Sequence, residues 1–380
     1  MTFIFPIHTT FLFLTIIRMV ERMIQTRILL LCLIALSVSA CSSLGPGRIS
    51  PDRFNYNDAI ASSSNEQMLL NIVRLRYEDV PVFLAVSSVL TQYVYSSNAE
   101  VSGAAGLDNI IGSSVGGNAG IRYIERPTIT YSPLSGDDFA KQLLTPIPSD
   151  LIFSLLQSGW PAKELLTMSL QRINSIVNTD HYSVAKQATP EQEQFMRVIQ
   201  LIIELGKRGA IEIQHQDKND NYAPVLVFES TDDIDTLGLI TEFKQILDLD
   251  PERERFHVTT RVVQRKADEV TIRNRSVLTL MGFLSRGVTI PPAHAEISAL
   301  PSQPTGSDNN RQTIPSPLQI HTSVERPSDA FVSVRYQGHW FSIDRSDHAS
   351  KQAFGLLTYL FQLKSPEAPS AAPLLTVPTG

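Results

Sequence analysis

The second half of the chain limits the fold most, because it runs through one order of elements three times. Strand-like runs at 210–214 and 225–229 precede a helical pattern at 235–247, and runs at 256–263 and 269–273 precede another at 276–286. Runs at 330–335 and 339–343 then precede a third helical pattern at 348–363. Short β-branched and aromatic runs read as strands, and longer runs with apolar residues three or four apart read as helices. The succession predicts antiparallel sheet with helices packed on one face, an α+β architecture. The recurrence is one of pattern, without a repeated sequence.

The first half reads as N-terminal helices with a long β-hairpin. Ser63-Ser64-Asn65-Glu66 has the order of a capping box, and Met68, Ile72 and Leu75 follow at helical spacing, which predicts a helix from about 63 to 77. Residues 81–95 and 121–131 read as strands, and Gly, Ser, Ala and Asn dominate 96–120, so a long hairpin with an extended tip is expected. Helices are expected at 137–144, 149–157 and 162–177, the last introduced by Pro161. Thr189 opens the clearest helix: Pro190 stands at its first position, Gln192 completes a capping box and Gly209 lies just past its end. Phe195, Val198, Ile199, Ile202 and Leu205 form its expected buried stripe.

Proline and glycine mark the boundaries. Residues 41–61 carry Gly45, Pro46, Gly47 and Pro51 and read as a flexible tether, 291–317 as a proline-rich linker and 365–380 as a disordered tail. Between them lie a helical region with the hairpin at 62–188, an α+β region at 189–290 and a strand-helix unit at 318–364.

Residues 1–40 read as a signal peptide. Its apolar core, 28–40, is preceded by Arg27 and is shorter than the ~20 residues that span a bilayer. It closes on Leu36-Ser37-Val38-Ser39-Ala40-Cys41, which resembles the signal of bacterial lipoproteins. That resemblance implies cleavage after Ala40 and acylation of the Cys41 sulfur, and Ser42 at the next position implies export to the outer membrane by default. A membrane-spanning helix and ordinary secretion, for which Val38 and Ala40 also suffice, are the alternatives. A second apolar stretch at 2–17 precedes Arg18, so translation is expected to begin at Met19 or Met23. Each buried methylene contributes ~0.8 kcal/mol, so two or three acyl chains hold a protein on its membrane where one does not.

Removing Arg18, Glu21, Arg22 and Arg27 with the leader from 32 basic and 38 acidic residues leaves 29 against 37. No basic run stands out against that balance, which sets a nucleic-acid partner aside. Of the two cysteines, Cys32 lies in the leader and Cys41 would be acylated. Disulfides, thiolate metal sites and cysteine nucleophiles are excluded together.

Several short patterns suggest chemistry, and each has a plainer reading. Gly112-Ser113-Ser114-Val115-Gly116 matches a nucleophile elbow, but it sits in a glycine-serine tract without the strand and helix that strain such a turn. Ser183-Val184-Ala185-Lys186 and Ser307-Asp308-Asn309 match two motifs of penicillin-binding enzymes, yet the third, Lys-Thr-Gly, is missing. Asp344, Asp347 and His348 could ligate a divalent ion, but Asp347 is placed to cap the last helix. Asp137-Asp138 and Asp232, Asp233 and Asp235 could serve as acid and base, but they fall at helix starts where negative charge is favoured. The other histidines of the mature chain, His181, His215, His257, His294, His321 and His339, are scattered singly. The hairpin carries Tyr93, Tyr95 and Tyr123 near its tip and invites a membrane-inserting reading, against which Arg122, Glu125 and Arg126 crowd its second arm. A hairpin packed on its own domain is the plainer expectation.

The segments Asn71-Ile72-Val73-Arg74-Leu75-Arg76-Tyr77, Glu125-Arg126-Pro127-Thr128-Ile129-Thr130-Tyr131 and Tyr336-Gln337-Gly338-His339-Trp340-Phe341 resemble uncharacterised proteobacterial outer-membrane lipoproteins. The resemblance implies no activity. The expectation is a non-enzymatic, lipid-anchored protein facing the periplasm that binds or scaffolds other envelope proteins, with no catalytic, cofactor or metal residues. An oligomeric export or pore component using the 82–131 hairpin is the first alternative, and an envelope hydrolase the second.

Overall fold

The structure, a computed structural model, describes residues 19, 22–25, 27–29, 46–103, 115–178, 189–218, 221–260, 266–294 and 316–364. The chain divides into two units, residues 1–63 and 64–380. Its mixed α+β architecture is the one the pattern predicts.

Helix α1 (Pro46–Arg76) begins well before the capping box at Ser63, so the segment read as a flexible tether is helical from Pro46 onward. The buried turn Met68–Val73 anchors the helix, and extending an existing helix costs far less than nucleating one. At its end Asp79 N–H donates to Arg74 O at 2.9 Å and Glu78 N–H to Leu75 O at 3.2 Å. This pair of bonds is a Schellman motif, and Glu78 takes the left-handed φ of 62° that it requires. The turn sends the chain back along the helix. Asn71 then accepts from Val82 N–H at 2.9 Å and donates to Val82 O at 2.8 Å. One helical turn earlier, Gln67 does the same with Leu84 at 2.7 and 3.1 Å. Residues four apart on a helix rise ~6 Å and residues two apart on a strand ~6.8 Å, so two side-chain amides stand in for a neighbouring strand.

From that root rises a two-stranded ribbon, β1 (Leu84–Gly103) and β2 (Val115–Pro133), paired antiparallel with one irregularity between Val86 and Ser88. Among the described residues it forms a sheet of its own with no third strand. The strands are longer than the sequence suggests, because the glycine-serine stretch continues the pairing as far as Gly103 and Val115. Leu84, Leu90, Ile129 and Tyr131 are exposed, so the ribbon's lower half is not packed into the domain as expected.

Helices α2 (Asp137–Leu144) and α3 (Ser149–Gln157) have the predicted bounds. Helix α4 (Ala162–Ser169) is half the predicted length, because the chain then enters β3 (Leu170–Ile173) and β4 (Ile176–Val177). Leu170, Ile173 and Ile176 bury their side chains from strands instead of from a helix face. Asn174 makes the turn between these strands at a φ of 49°, and its amide accepts from Thr271 N–H and donates to Leu247 O. Tertiary pairing with a strand a hundred residues away overrides local helical periodicity here.

Helix α5 (Pro190–Lys207) is the one the capping signals mark. Gln192 N–H donates to Thr189 Oγ1 at 3.3 Å and Thr189 N–H to Gln192 Oε1 at 3.0 Å. Next come β5 (Ile211–Lys218), β6 (Asn221–Phe228), α6 (Ile234–Ile246), β7 (Arg255–Thr259), β8 (Glu269–Asn274) and α7 (Val277–Ser285). With β3 and β4 they build a six-stranded sheet in the order β4-β3-β8-β7-β6-β5. Its pairs are antiparallel except β7 with β8, which run parallel, so the second strand-strand-helix unit is not a hairpin. Side-chain alternation is the same for either direction, so the sequence carries no sign of this.

A short 3₁₀ turn, Pro292–His294, ends this part. Strand β9 (His321–Ser323), β10 (Ala330–Tyr336) and β11 (His339–Asp344) form a three-stranded sheet in the order β10-β11-β9, followed by α8 (His348–Lys364). Gln337 and Gly338 turn between β10 and β11 with φ of 43° and 86°, the sign pair of the tight hairpin turns that match strand twist. One hydrophobic cluster runs from Met68 to Leu360, so the three regions read from the sequence share a core.

Candidate functional site

A group of titratable side chains forms where the end of α1, the 3₁₀ turn and the β10–β11 hairpin meet. The Schellman turn leaves Tyr77 pointing inward, 7% exposed, with its hydroxyl 2.8 Å from His294 Nδ1. The His294 and His339 rings meet edge to face with centroids 4.7 Å apart, and Tyr336 lies 5.4 Å from Tyr77. Tyr336 donates its hydroxyl to the Asp79 carboxylate. His339 Nδ1 is buried with no hydrogen-bond partner among the described residues.

The surroundings keep the two tyrosines protonated and His294 neutral. Burial pushes the Tyr77 hydroxyl up to about 12. Burial, and then the bond to Asp79, raise Tyr336 as well. Burial lowers His294, with His339 beside it acting in the same direction. A neutral His294 has one ring nitrogen that donates and one that accepts, and the Tyr77 hydroxyl can meet Nδ1 in either role. Two tyrosines that resist ionisation and a histidine that resists protonation make a hydrogen-bonded clasp. The clasp joins the segments 71–77 and 336–341, which the sequence separates by more than 250 residues. Nothing in the linear order signals this meeting.

Deeper in the body Arg275, 1% exposed, donates to the carbonyls of Thr167, Met168 and Leu170 at 2.9–3.0 Å and lies 4.0 Å over the Phe283 ring. It caps the carbonyl end of α4, where a cation is favoured. Arg76 is also buried and Arg286 half-buried, and desolvation lowers both.

The sequence-derived candidates fall elsewhere. Asp347 accepts from Ser350 N–H at 3.0 Å and Oγ at 2.6 Å and caps α8, as expected. Burial alone would raise Asp347, but these bonds outweigh it and hold the carboxyl low. Asp344 accepts from Ser346 in the turn before α8, which lowers it in the same way. Asp233 caps α6 through Thr236 and pairs with Arg208 at 3.0 Å. Asp137 and Asp138 stand in the first turn of α2, where Asp138 lies 3.6 Å from Lys141. Val115 and Gly116 belong to β2, while Cys41, Ala40, Ser113, Ser183, Lys186, Ser307 and Asp308 lie outside the described residues. Among the described residues no three His, Cys, Asp or Glu side chains gather as a metal site, and no helix is long and apolar enough to cross a membrane.

The ribbon is the second feature. Its register sorts the three charged positions named from the sequence, two on one side and Glu125 on the other. Arg122 pairs with Ser96 and Arg126 with Gln92, an even number of residues apart on each strand, so both arginine positions share one side. Tyr95 pairs with Tyr123 and falls on the other side, with Tyr93 and Glu125 next below it.

No family model matches the chain, and no curated protein or solved structure is significantly similar to it.

Proposed function

We propose that this chain is a non-enzymatic envelope protein, held on the periplasmic side of the outer membrane by acyl chains on Cys41, and that the β1–β2 ribbon is the arm with which it binds other envelope proteins. The observation that carries this reading is the ribbon itself: up to nineteen paired residues per strand, with no third strand beside it among the described residues. A lone hairpin is marginal in water, and unpaired edges present rows of N–H and C=O groups that seek a partner. The Tyr77–His294 clasp and the Arg275 cap support the rest of the body as a rigid platform for that arm.

Two variants of the full chain, expressed in cells, test the two halves of this reading. Cys41→Ala is expected to leave the membrane fraction, and retention there defeats the anchor. Removing residues 92–126 and closing the stump with Asn-Gly is expected to keep membrane fractionation while abolishing the protein cross-links formed by a photoreactive group at Leu90. Cross-links that persist after the deletion defeat the arm.

A further inference from the structure

The register of the ribbon divides its outer nine residue pairs into two unlike sides. From the Tyr95–Tyr123 pair to the Gly103–Val115 pair, alternate positions on one side are occupied by Ser97, Ala99, Val101, Gly117, Ala119 and Ile121, without a charge. The intervening positions hold Arg122 opposite Ser96, Asn98, and Glu100 opposite Asn118. Just below the tyrosine pair the uncharged side ends, because Glu125 stands opposite Tyr93.

We infer that this outer section is a membrane-spanning β-hairpin, and that its other contacts in the bilayer are the same hairpins of further copies of this chain. The inference deepens the arm reading above and rests on it. Three observations support it. First, 95–103 and 115–123 are nine residues each, and a tilted strand crosses the hydrocarbon in about nine to eleven. Second, the uncharged side is bounded by a cross-strand pair of tyrosines, the residue type that collects where a barrel strand leaves the hydrocarbon. Third, the opposite side is polar and charged, as the lumen of an aqueous barrel is. No open sheet edge survives in lipid, so a single ribbon is excluded there, and the edges of β1 and β2 must be closed by neighbours. The smallest barrels have about eight strands, which sets a minimum of about four copies at two strands each.

The test uses the acylated mature protein in phosphatidylethanolamine and phosphatidylglycerol vesicles. Single-cysteine variants Ser97→Cys, Ala99→Cys and Val101→Cys are compared with Ser96→Cys, Asn98→Cys and Glu100→Cys, each carrying an environment-sensitive fluorophore. The expected result is alternation: several-fold stronger quenching by lipid-borne nitroxide at 97, 99 and 101 than at 96, 98 and 100, with release of an entrapped dye. Equal exposure of all six positions to water overturns the inference. So does shielding at both sets that is independent of lipid, because that assigns the ribbon to a soluble protein partner. Vesicle flotation is read in the same samples. Protein that floats without alternation defeats the spanning hairpin and leaves the anchor standing, whereas failure to float defeats the anchor.

Discussion

Tyr77 and His294, 217 residues apart, are joined by a 2.8 Å hydrogen bond between a buried hydroxyl and a buried imidazole nitrogen. That bond ties the end of α1 to the turn that follows the six-stranded sheet. Tyr77→Phe keeps the ring contacts with Tyr336 and Phe341 but leaves His294 Nδ1 without its hydrogen-bond partner. Stranding a buried polar atom costs about 1–3 kcal/mol. Urea unfolding should show that loss, with the slope of the transition unchanged.

The same pair predicts a pH dependence. Burial and the nearby His339 lower His294 in the folded state, whereas the unfolded chain has the ordinary value of about 6.5. The unfolded state therefore binds the proton more readily. The stability contribution is full above about pH 6.5 and declines as pH falls through that value toward the lower folded one. His294→Gln should flatten the difference in unfolding free energy between pH 7 and pH 5 relative to the parent chain.

Gly287 is a position where a single methyl group meets backbone. A Cβ built there would stand 1.6 Å from the carbonyl oxygen of Leu318, whose segment is tied back by the Ile320 N–H to Gly287 O bond of 2.9 Å. Gly287→Ala must push the two strands of chain apart and is expected to cost on the order of 3 kcal/mol. Thermal unfolding at fixed pH would read this as a lowered midpoint, and an unchanged midpoint would contradict the close approach.

Arg275 holds three carbonyls with one nitrogen and stacks on Phe283. Arg275→Met removes the donor from Met168 O and leaves Thr167 O and Leu170 O with the Asn178 amide alone, with an expected loss of about 1–3 kcal/mol. Arg275→Lys should recover little of it, because an ammonium lacks the flat guanidinium that lies over the ring. Chemical denaturation of both variants checks the order.

Asn71→Asp keeps the acceptor for Val82 N–H and loses the donor to Val82 O. A loss of about 1–2 kcal/mol is expected, concentrated at the root of the ribbon. Hydrogen exchange at Leu84 and Val86 should quicken while the six-stranded sheet is unaffected.

Elements whose signals are local were legible in the sequence. The Thr189 capping box, Gly209 at a φ of 66° and the stripe of α5 are all present, although Leu201 joins the buried set and Ile202 is only partly buried. What failed was set by distant partners. The second half of the expected 162–177 helix pairs with β8, the β7–β8 pair runs parallel, and β9 is too short to stand out from a proline-rich context. The clasp needed two scattered histidines to be brought beside Tyr77, which no spacing encodes. The two sides of the ribbon became readable once the register was known, because the residue opposite Arg122 decides which side it takes.

The grip of Gln67 and Asn71 on Leu84 and Val82 makes the ribbon a lever with a short fulcrum. Its paired length is ~60 Å at ~3.3 Å per residue, so an angular play of ~5° at those two amides displaces the far end by ~5 Å. Aim is therefore decided at the helix, on successive turns of α1, well away from where contact is made. A change of one amide there would redirect the outermost residues without altering any of them.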